Sequence, residues 1–359
     1  MNTNFIKKAI NNKAFVVKRS ITLPEFESKL VTDLLLQTSF FKGQKITVNY
    51  HDNNYEYDSY IIYCDKGKYL TKISQDEGNN LLKGYEHTKQ LNGKLITPNS
   101  LSFDTVNFGD EKFFIFTSDF IHGTTVKELP FEVFDENIKT FSNLISYLHE
   151  LTESKDKDET LLFFEDLKDM TKHSLWLPEE DFETIKKSKL QQKVEEINED
   201  ILNKLSSRMV KPHLPCSLCH TNLTRNKILF KKGFFQITCF EHSRVIDPSL
   251  DIALVFGYLG LNKKKLQKNQ FLEQYVTSHR NLDISKKNLE DKVESYKDAA
   301  SLIILLRSVN REFYNTFIDK PTSDKRLENS FAYSEIRDSI TKTVPQHKQI
   351  LDKIFLNYY

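Results

Sequence analysis

Cysteine is scarce: four in 359 residues, too few for a disulfide framework. No apolar h-region follows the N-terminal lysines, so a reducing cytoplasm is the expected compartment, and the sequon Asn222-Leu223-Thr224 carries no glycosylation meaning there. No window reaches the apolar length of a membrane span, which argues against an integral protein with helical spans. Charge of one sign is also missing. With 51 basic and 50 acidic side chains and a net charge of +1, nothing drives the chain as a whole toward nucleic acid, and no nucleic-acid partner is expected. No acid precedes Glu25, yet the segment lacks the arginine and serine richness of a transit peptide and reads as a solvated arm. Internal repeats and low-complexity linkers are absent. Lysine greatly outnumbers arginine, and asparagine and phenylalanine are plentiful, which we read as a coding bias; lysine-rich runs therefore carry little functional weight.

What is present is an ordinary globular composition, 39% hydrophobic and 28% charged, in a chain long enough to bury a sizeable core in one two-part unit or two small domains. Thr22-Leu23-Pro24-Glu25 predicts a helix start, with a capping threonine and proline in the first turn, running to about Gln37. Ile46, Val48 and Tyr50 alternate as a strand; further strands are predicted over Tyr60–Tyr63, Tyr69–Ile73 and Phe113–Phe116. The turn Asp65-Lys66-Gly67-Lys68 joins the second and third. Beyond Gly123 the pattern turns helical. Phe141, Leu144, Ile145, Leu148 and Leu151 recur on one helical face, and His149 is expected at the surface or as a capping residue. From Ser154 to Arg208 the chain is charged, with a helix over Phe182–Leu205 and acidic residues around Glu179–Glu183 that read as a solvated face. Leu302–Leu306 with Phe313, Tyr314 and Phe317 supply a buried stripe.

The chemistry concentrates in residues 215–253, PCSLCHTNLTRNKILFKKGFFQITCFEHSRVIDPSLDIA. An apolar approach ends at Cys219-His220, a polar loop follows, a Lys-Lys-Gly turn joins two apolar strands, and a second loop ends at Asp247-Pro248. Cys216 to His220 spells a c-type haem attachment pattern, but haem attachment needs an exported, exposed loop, and here the motif continues an apolar strand. Cys216, Cys219, Cys239 and His242 also form a candidate zinc set. Cys216 and Cys219, three apart on a strand, would point to opposite faces, so buried structural cysteines are the preferred reading.

This stretch resembles the catalytic core of the aminoglycoside phosphotransferase and choline/ethanolamine kinase superfamily, whose pattern reads C-H-x-D-L-x-x-x-N-I-L, then I-D-[FW]-E-[YD]-[AS], then D-[IL]-A. The resemblance implies an α+β, protein-kinase-like, two-lobed fold: a small antiparallel-sheet N-lobe and a larger, mainly helical C-lobe. On it, residues 1–42 form an arm and helix, 43–123 a nucleotide-binding-like N-lobe, and 124–359 the C-lobe that carries 215–253. Lys72 falls at the third-strand lysine that binds nucleotide phosphates, and Glu86 at the helix glutamate that pairs with it. Phe120–Gly123 resembles the linker between lobes, and Leu148–Leu151 the end of the first large-lobe helix.

At the chemical centre the frame is kept and the residues differ. His220 sits at the family histidine, but Asn222 stands for the catalytic aspartate, Lys227 for the metal-binding asparagine and Cys239 for the metal-binding aspartate. Phe240-Glu241 match F-E, and Asp251-Ile252-Ala253 match D-I-A. Asparagine cannot accept a proton, a loss worth about 10²–10⁴-fold in rate. Magnesium, which prefers oxygen ligands, should bind poorly, and Lys227 could instead act as a built-in counter-ion to nucleotide phosphates. The loop between the first two strands has no glycine, so its amides approach phosphates less closely. Choline kinases place tryptophans near the C-terminal helices to hold a quaternary ammonium; the single tryptophan here is Trp176, and choline is not supported as a substrate.

The expectation is therefore a degenerate member, a pseudokinase acting by binding ATP, another small ligand or a protein partner. Its catalytic positions are Asn222, His220 and Glu241, and its cofactor-binding positions Lys72, Glu86, Lys227 and Cys239, without a metal. The alternatives are a working small-molecule kinase that relies on Glu241, and an interaction scaffold with an empty cleft.

Overall fold

The computed structural model describes residues 25–53, 57–75, 79–174, 189–206, 214–281 and 283–317. The predicted cap at Thr22, Trp176 and the acidic run at Glu179–Glu183 lie outside them, as do the side chains of Phe313, Tyr314 and Phe317. The chain forms two compact units, residues 1–126 with 227–243, and residues 127–226 with 244–359.

The first unit is built on a five-stranded antiparallel sheet. Helix α1 (Glu25–Leu35) precedes strands β1 (Ile46–Asn53), β2 (Asp58–Cys64) and β3 (Gly67–Ser74). Helix α2 (Asn79–Gln90) leads to β4 (Ser100–Phe108) and β5 (Glu111–Asp119), and the spatial order is β1-β2-β3-β5-β4. The predicted strands all form, and β4 adds one that the sequence pattern conceals. Successive side chains point to opposite faces of a strand, and both faces here are covered. Tyr69, Ile73, Phe113 and Ile115 join Leu30, Val31, Leu34 and Leu35 of α1 in one core. Phe114 and Phe116 turn to the other face, with Leu81 and Tyr85 of α2. Lys72 lies opposite Phe116 in the β3–β5 register, on the α2 face. Strand β6 (Thr124–Thr125) then pairs with the hairpin Ile228–Lys231/Phe234–Ile237, which belongs to this unit.

The second unit is mainly helical: α3 (Phe131–Glu136), α4 (Ile138–Leu151), α5 (Thr160–Ser174), α6 (Lys189–Ser206), α7 (Pro248–Leu259), α8 (Lys265–Ser278), α9 (Lys286–Ser295) and α10 (Lys297–Phe317). Short strands Ser217–Cys219 and Arg244–Ile246 pair antiparallel. Helix α7 is buried almost throughout, and Leu302–Leu306 of α10 are buried as predicted. Asp247 caps α7 by accepting from the Ser249 N–H at 2.8 Å, with Pro248 in the first turn, the arrangement that satisfies an otherwise orphaned amide.

Helix α4 buries Phe141, Ile145 and Leu148, but Leu151 at its end is 39% exposed. Its second buried row is Ser142, Ser146 and His149, spaced at helical intervals. The serine hydroxyls donate to the Phe271 and Tyr275 carbonyls of α8 at 2.6 and 3.1 Å. His149 is thus a fully buried histidine and not the surface or capping residue expected. A stripe of small polar residues hides this face from a search for apolar periodicity.

Candidate functional site

Lys72 is 5% exposed, and a buried ammonium must be paired. Its Nζ forms an ion pair with Glu241, itself 1% exposed. The Sγ of Cys239 lies 3.6 Å from Nζ, and the ring of Tyr57 stands 4.6 Å away with its hydroxyl 4.0 Å from the same sulfur. Burial alone would lower the lysine pKa, yet the adjoining Cys239 and Glu241 override it and hold the ammonium above its ordinary value. Burial would likewise raise Glu241; Lys72, and secondarily Lys227, hold the carboxylate below the usual range instead. The pair is charged on both sides.

Helix α2 is what brings Glu241 there. Residues 240–242 form a single 3₁₀ turn against the helix, and a Cβ on Gly84 would sit 3.0 Å from Glu241 Cγ and 3.3 Å from its Cα. A Cβ there would push the turn back by a few tenths of an ångström, so glycine is what lets the two approach this closely. The Ser243 hydroxyl gives its one proton to the Phe240 carbonyl, so His87 Nδ1, 2.6 Å away, donates to the Ser243 oxygen and ties α2 to the far end of the turn. Leu81, Gly84 and Thr88 are the buried residues of α2 and Glu86 is exposed. The expected pairing of Lys72 with Glu86 is therefore replaced by Lys72–Glu241. Five residues past Leu81, Glu86 stands about 140° round a 3.6-residue helix from the packed face.

Cys239 has φ = +68°, a left-handed conformation for a residue with a Cβ, and such strain clusters at functional loops. Lys227 ends the 3₁₀ turn Arg225–Lys227 and begins the hairpin. Its carbonyl accepts from the Thr238 N–H at 2.9 Å, which places Lys227 across the hairpin from the residue preceding Cys239.

The second unit holds His220 and Asn222. The loop between them passes through Thr221 at φ = +60°, a genuine outlier for a β-branched residue. Three side chains fix it. Asp251 accepts from the Thr221 N–H at 2.7 Å and the His220 N–H at 3.2 Å. Arg307 donates to the Thr221 carbonyl and, at 3.4 Å, to its hydroxyl. His149 Nε2 donates to Asp251 at 3.2 Å while its Nδ1 accepts from the Tyr275 hydroxyl at 2.9 Å. Burial would raise the Asp251 pKa; His149, His220 and the Thr221 amide lower it. Asn222, half-buried, donates its N–H to the His220 carbonyl at 2.8 Å. A braced, strained loop thus presents an amide side chain that cannot take a proton. His149, Tyr275 and Arg307 are parts of this frame that the sequence pattern did not reveal.

Two metal readings can be tested on the donor atoms. Burial pushes the Cys216 thiol up to about 12 and Cys219 well above its ordinary value; metal-binding thiols must be deprotonated, so the suggested zinc set is poorly suited to the ion. His149, Cys219 and Asp251 bring potential ligand atoms within 4.8 Å of one another, but each already has a hydrogen-bond partner, Cys219 Sγ pairing with the Ile246 carbonyl at 3.4 Å. Magnesium takes oxygen ligands. In residues 238–243 the position that the resemblance would assign to a metal ligand carries a thiol, and the only carboxylate, Glu241, is tied to Lys72. These residues do not suit magnesium.

No family model matches the sequence, and neither does any curated protein. Solved structures do match in fold. The Plasmodium vivax ethanolamine kinase aligns over 96% of both chains at 13% identity, TM-score 0.55. The choline kinase LicA from Streptococcus pneumoniae aligns over 89% of this chain and all of its own, 15% identical, TM-score 0.56. An aminoglycoside-3'-phosphotransferase of type VIII covers 77% of this chain and 98% of its own, 15% identical, TM-score 0.52. The chain has the α+β, protein-kinase-like fold of the choline/ethanolamine kinases and aminoglycoside phosphotransferases.

Proposed function

We propose that this protein is a catalytically degenerate kinase-like protein that acts by binding a nucleotide, another small molecule or a protein partner, not by transferring phosphate. One observation carries the reading: the buried Lys72–Glu241 pair with the Cys239 thiol beside it. The loop that the resemblance assigns to the metal offers sulfur beside that lysine, and the one carboxylate of residues 238–243 is already the lysine's partner. The carboxylate a working kinase would have to enlist, Glu241, is itself the lysine's partner. Asn222 adds the loss of a proton acceptor on a loop whose backbone frame is intact.

The reading is supported by a pattern of change rather than a single substitution. The braces of the loop, Asp251, His149 and Arg307, are all in place, while the three positions that would handle proton and metal are altered together.

The test compares the wild type with the variant Asn222→Asp/Lys227→Asn/Cys239→Asp. Both are incubated with magnesium and labelled ATP against choline, ethanolamine, aminoglycosides and simple alcohols. The wild type is expected to give no transfer above the protein-free rate, and the restored variant a measurable one. Wild-type transfer that Glu241→Gln abolishes would establish the working-kinase alternative.

A further inference from the structure

The second unit contains a guanidinium whose charge is not answered. Three of the shielded cations there have carboxylate partners: Arg244 pairs with Asp166, Lys264 with Asp135 and Lys268 with Glu294. Arg307 of α10, half-buried, has none among the described residues. Asp251, on the other side of the Thr221 peptide, accepts instead from the amides of Thr221 and His220 and from His149.

What Arg307 does hold is the loop. A guanidinium has five N–H donors in one plane. Both hydrogens of Nη1 are used, on the Thr221 carbonyl and on the Tyr258 hydroxyl at 3.1 Å, and Nη2 gives one to the Thr221 hydroxyl at 3.4 Å. Thr221 therefore occupies the edge between Nη1 and Nη2. The edge left over is that of Nε and Nη2, whose parallel N–H groups have no partner among the described residues. Nε is not sealed in the interior, so this edge opens to solvent. The ring of Phe163, 1% exposed, stands 5.8 Å from Cζ.

A fork of two parallel N–H groups matches the two oxygens of a carboxylate. One guanidinium also balances the single charge of a carboxylate, whereas a phosphate monoester carries about −1.5 to −2 at neutral pH and would stay under-compensated. Because Thr221 and Tyr258 already clamp the group, little side-chain freedom is lost when an anion docks.

We propose that Arg307 binds the carboxylate of a small-molecule ligand through its open Nε/Nη2 edge, beside the loop residue that precedes Asn222. The proposal goes beyond the loss of transfer and is independent of it: it names the class of ligand that the second unit takes.

The experiment is an NMR titration of the full chain, isotope-labelled at backbone and arginine nitrogens, at matched ionic strength. The probes are glycolate, its uncharged amide glycolamide, inorganic phosphate and choline. One Nε–H resonance, identified by Overhauser contacts to the Phe163 ring, should shift with millimolar glycolate and stay in place with glycolamide and choline. Phosphate should bind more weakly than glycolate. Arg307→Lys keeps the charge and can still reach the Thr221 carbonyl, but it has no fork. Followed at the Thr221 amide, it should lose about tenfold in glycolate affinity, the worth of one charge-assisted hydrogen bond. Melting shows whether this variant is folded; if it is not, the contrast between glycolate and glycolamide in the wild type decides. An Nε–H resonance that glycolate leaves in place, an equal response to glycolamide, tighter binding of phosphate or choline, or an unchanged affinity in folded Arg307→Lys overturns the proposal. Phosphate transfer from ATP to the glycolate hydroxyl would overturn the non-catalytic reading and leave the carboxylate site standing.

Discussion

Replacing Lys72 by methionine keeps most of the volume of the side chain and removes the charge, leaving the Glu241 carboxylate, 1% exposed, without its contact partner. Breaking a buried pair from one side costs about 3–5 kcal/mol; Lys227 still attracts Glu241, which puts the expectation near the lower end, about 3 kcal/mol. For a unit of this size that corresponds to a fall in melting temperature of roughly 6–12 °C. Replacing both partners, Lys72→Met/Glu241→Gln, should recover most of the loss, because no buried charge is left behind. The pH dependence gives a second readout. In the wild type, the folded pKa of Glu241 lies below 4.5 and that of Lys72 above 10.5. The pair's contribution is therefore complete between those values, lost as pH falls through the lower and as it rises through the upper. In Lys72→Met burial dominates and the Glu241 pKa rises, so the variant's deficit should be largest near about pH 8 and shrink toward about pH 5. Calorimetric melting and urea unfolding of four proteins across that range, the wild type, Lys72→Met, Glu241→Gln and the double variant, measure both effects. A single variant within about 1 kcal/mol of wild type, or a double variant whose loss is the sum of the two single ones, would refute a charged buried pair.

Gly84→Ala should lower stability by about 1–3 kcal/mol in urea unfolding, because the new methyl meets the Cα of Glu241 and the stem of a side chain that its pairing with Lys72 holds in place. Asp251→Asn should cost about 2–4 kcal/mol: the one remaining oxygen can keep the Thr221 amide, but the NH2 in place of the other oxygen leaves His149 and the His220 amide without their acceptor, charge-assisted bonds being the strong ones. Because the Asp251 pKa is lowered in the fold, its contribution is present above the ordinary carboxylate value and lost as pH falls through the folded one, so the gap between Asp251→Asn and wild type should close in acid.

Much of this arrangement could be read in the sequence, where residues act through local pattern. Apolar runs marked β1, β2, β3 and β5, and the resemblance over His220–Ala253 pointed to the loop frame and, through the third-strand position, to Lys72. Strand β4 escaped because two of its three buried residues, Ser100 and Ser102, are polar while Leu101 and Phe103 are only half-buried, leaving Val106 as its one buried apolar residue. His149 escaped for a related reason, its neighbours on the helix face being serines that bond to backbone carbonyls. The partner of Lys72 could not be read locally. Glu86 and Glu241 are equally plausible as carboxylates, and the choice depends on which face of α2 packs, something Gly84 decides by allowing Glu241 within contact distance. Nor does anything near residue 226 announce that the hairpin after it belongs with the first unit, since that membership comes from pairing with Thr124 and Thr125, far away in the chain.

The most direct measurement is a single-turnover experiment. Protein in excess over labelled ATP, with magnesium and a candidate alcohol, is followed for label leaving the nucleotide. The expected result is that the label stays in ATP at the protein-free rate. Faster loss that disappears in Glu241→Gln would contradict a non-catalytic protein.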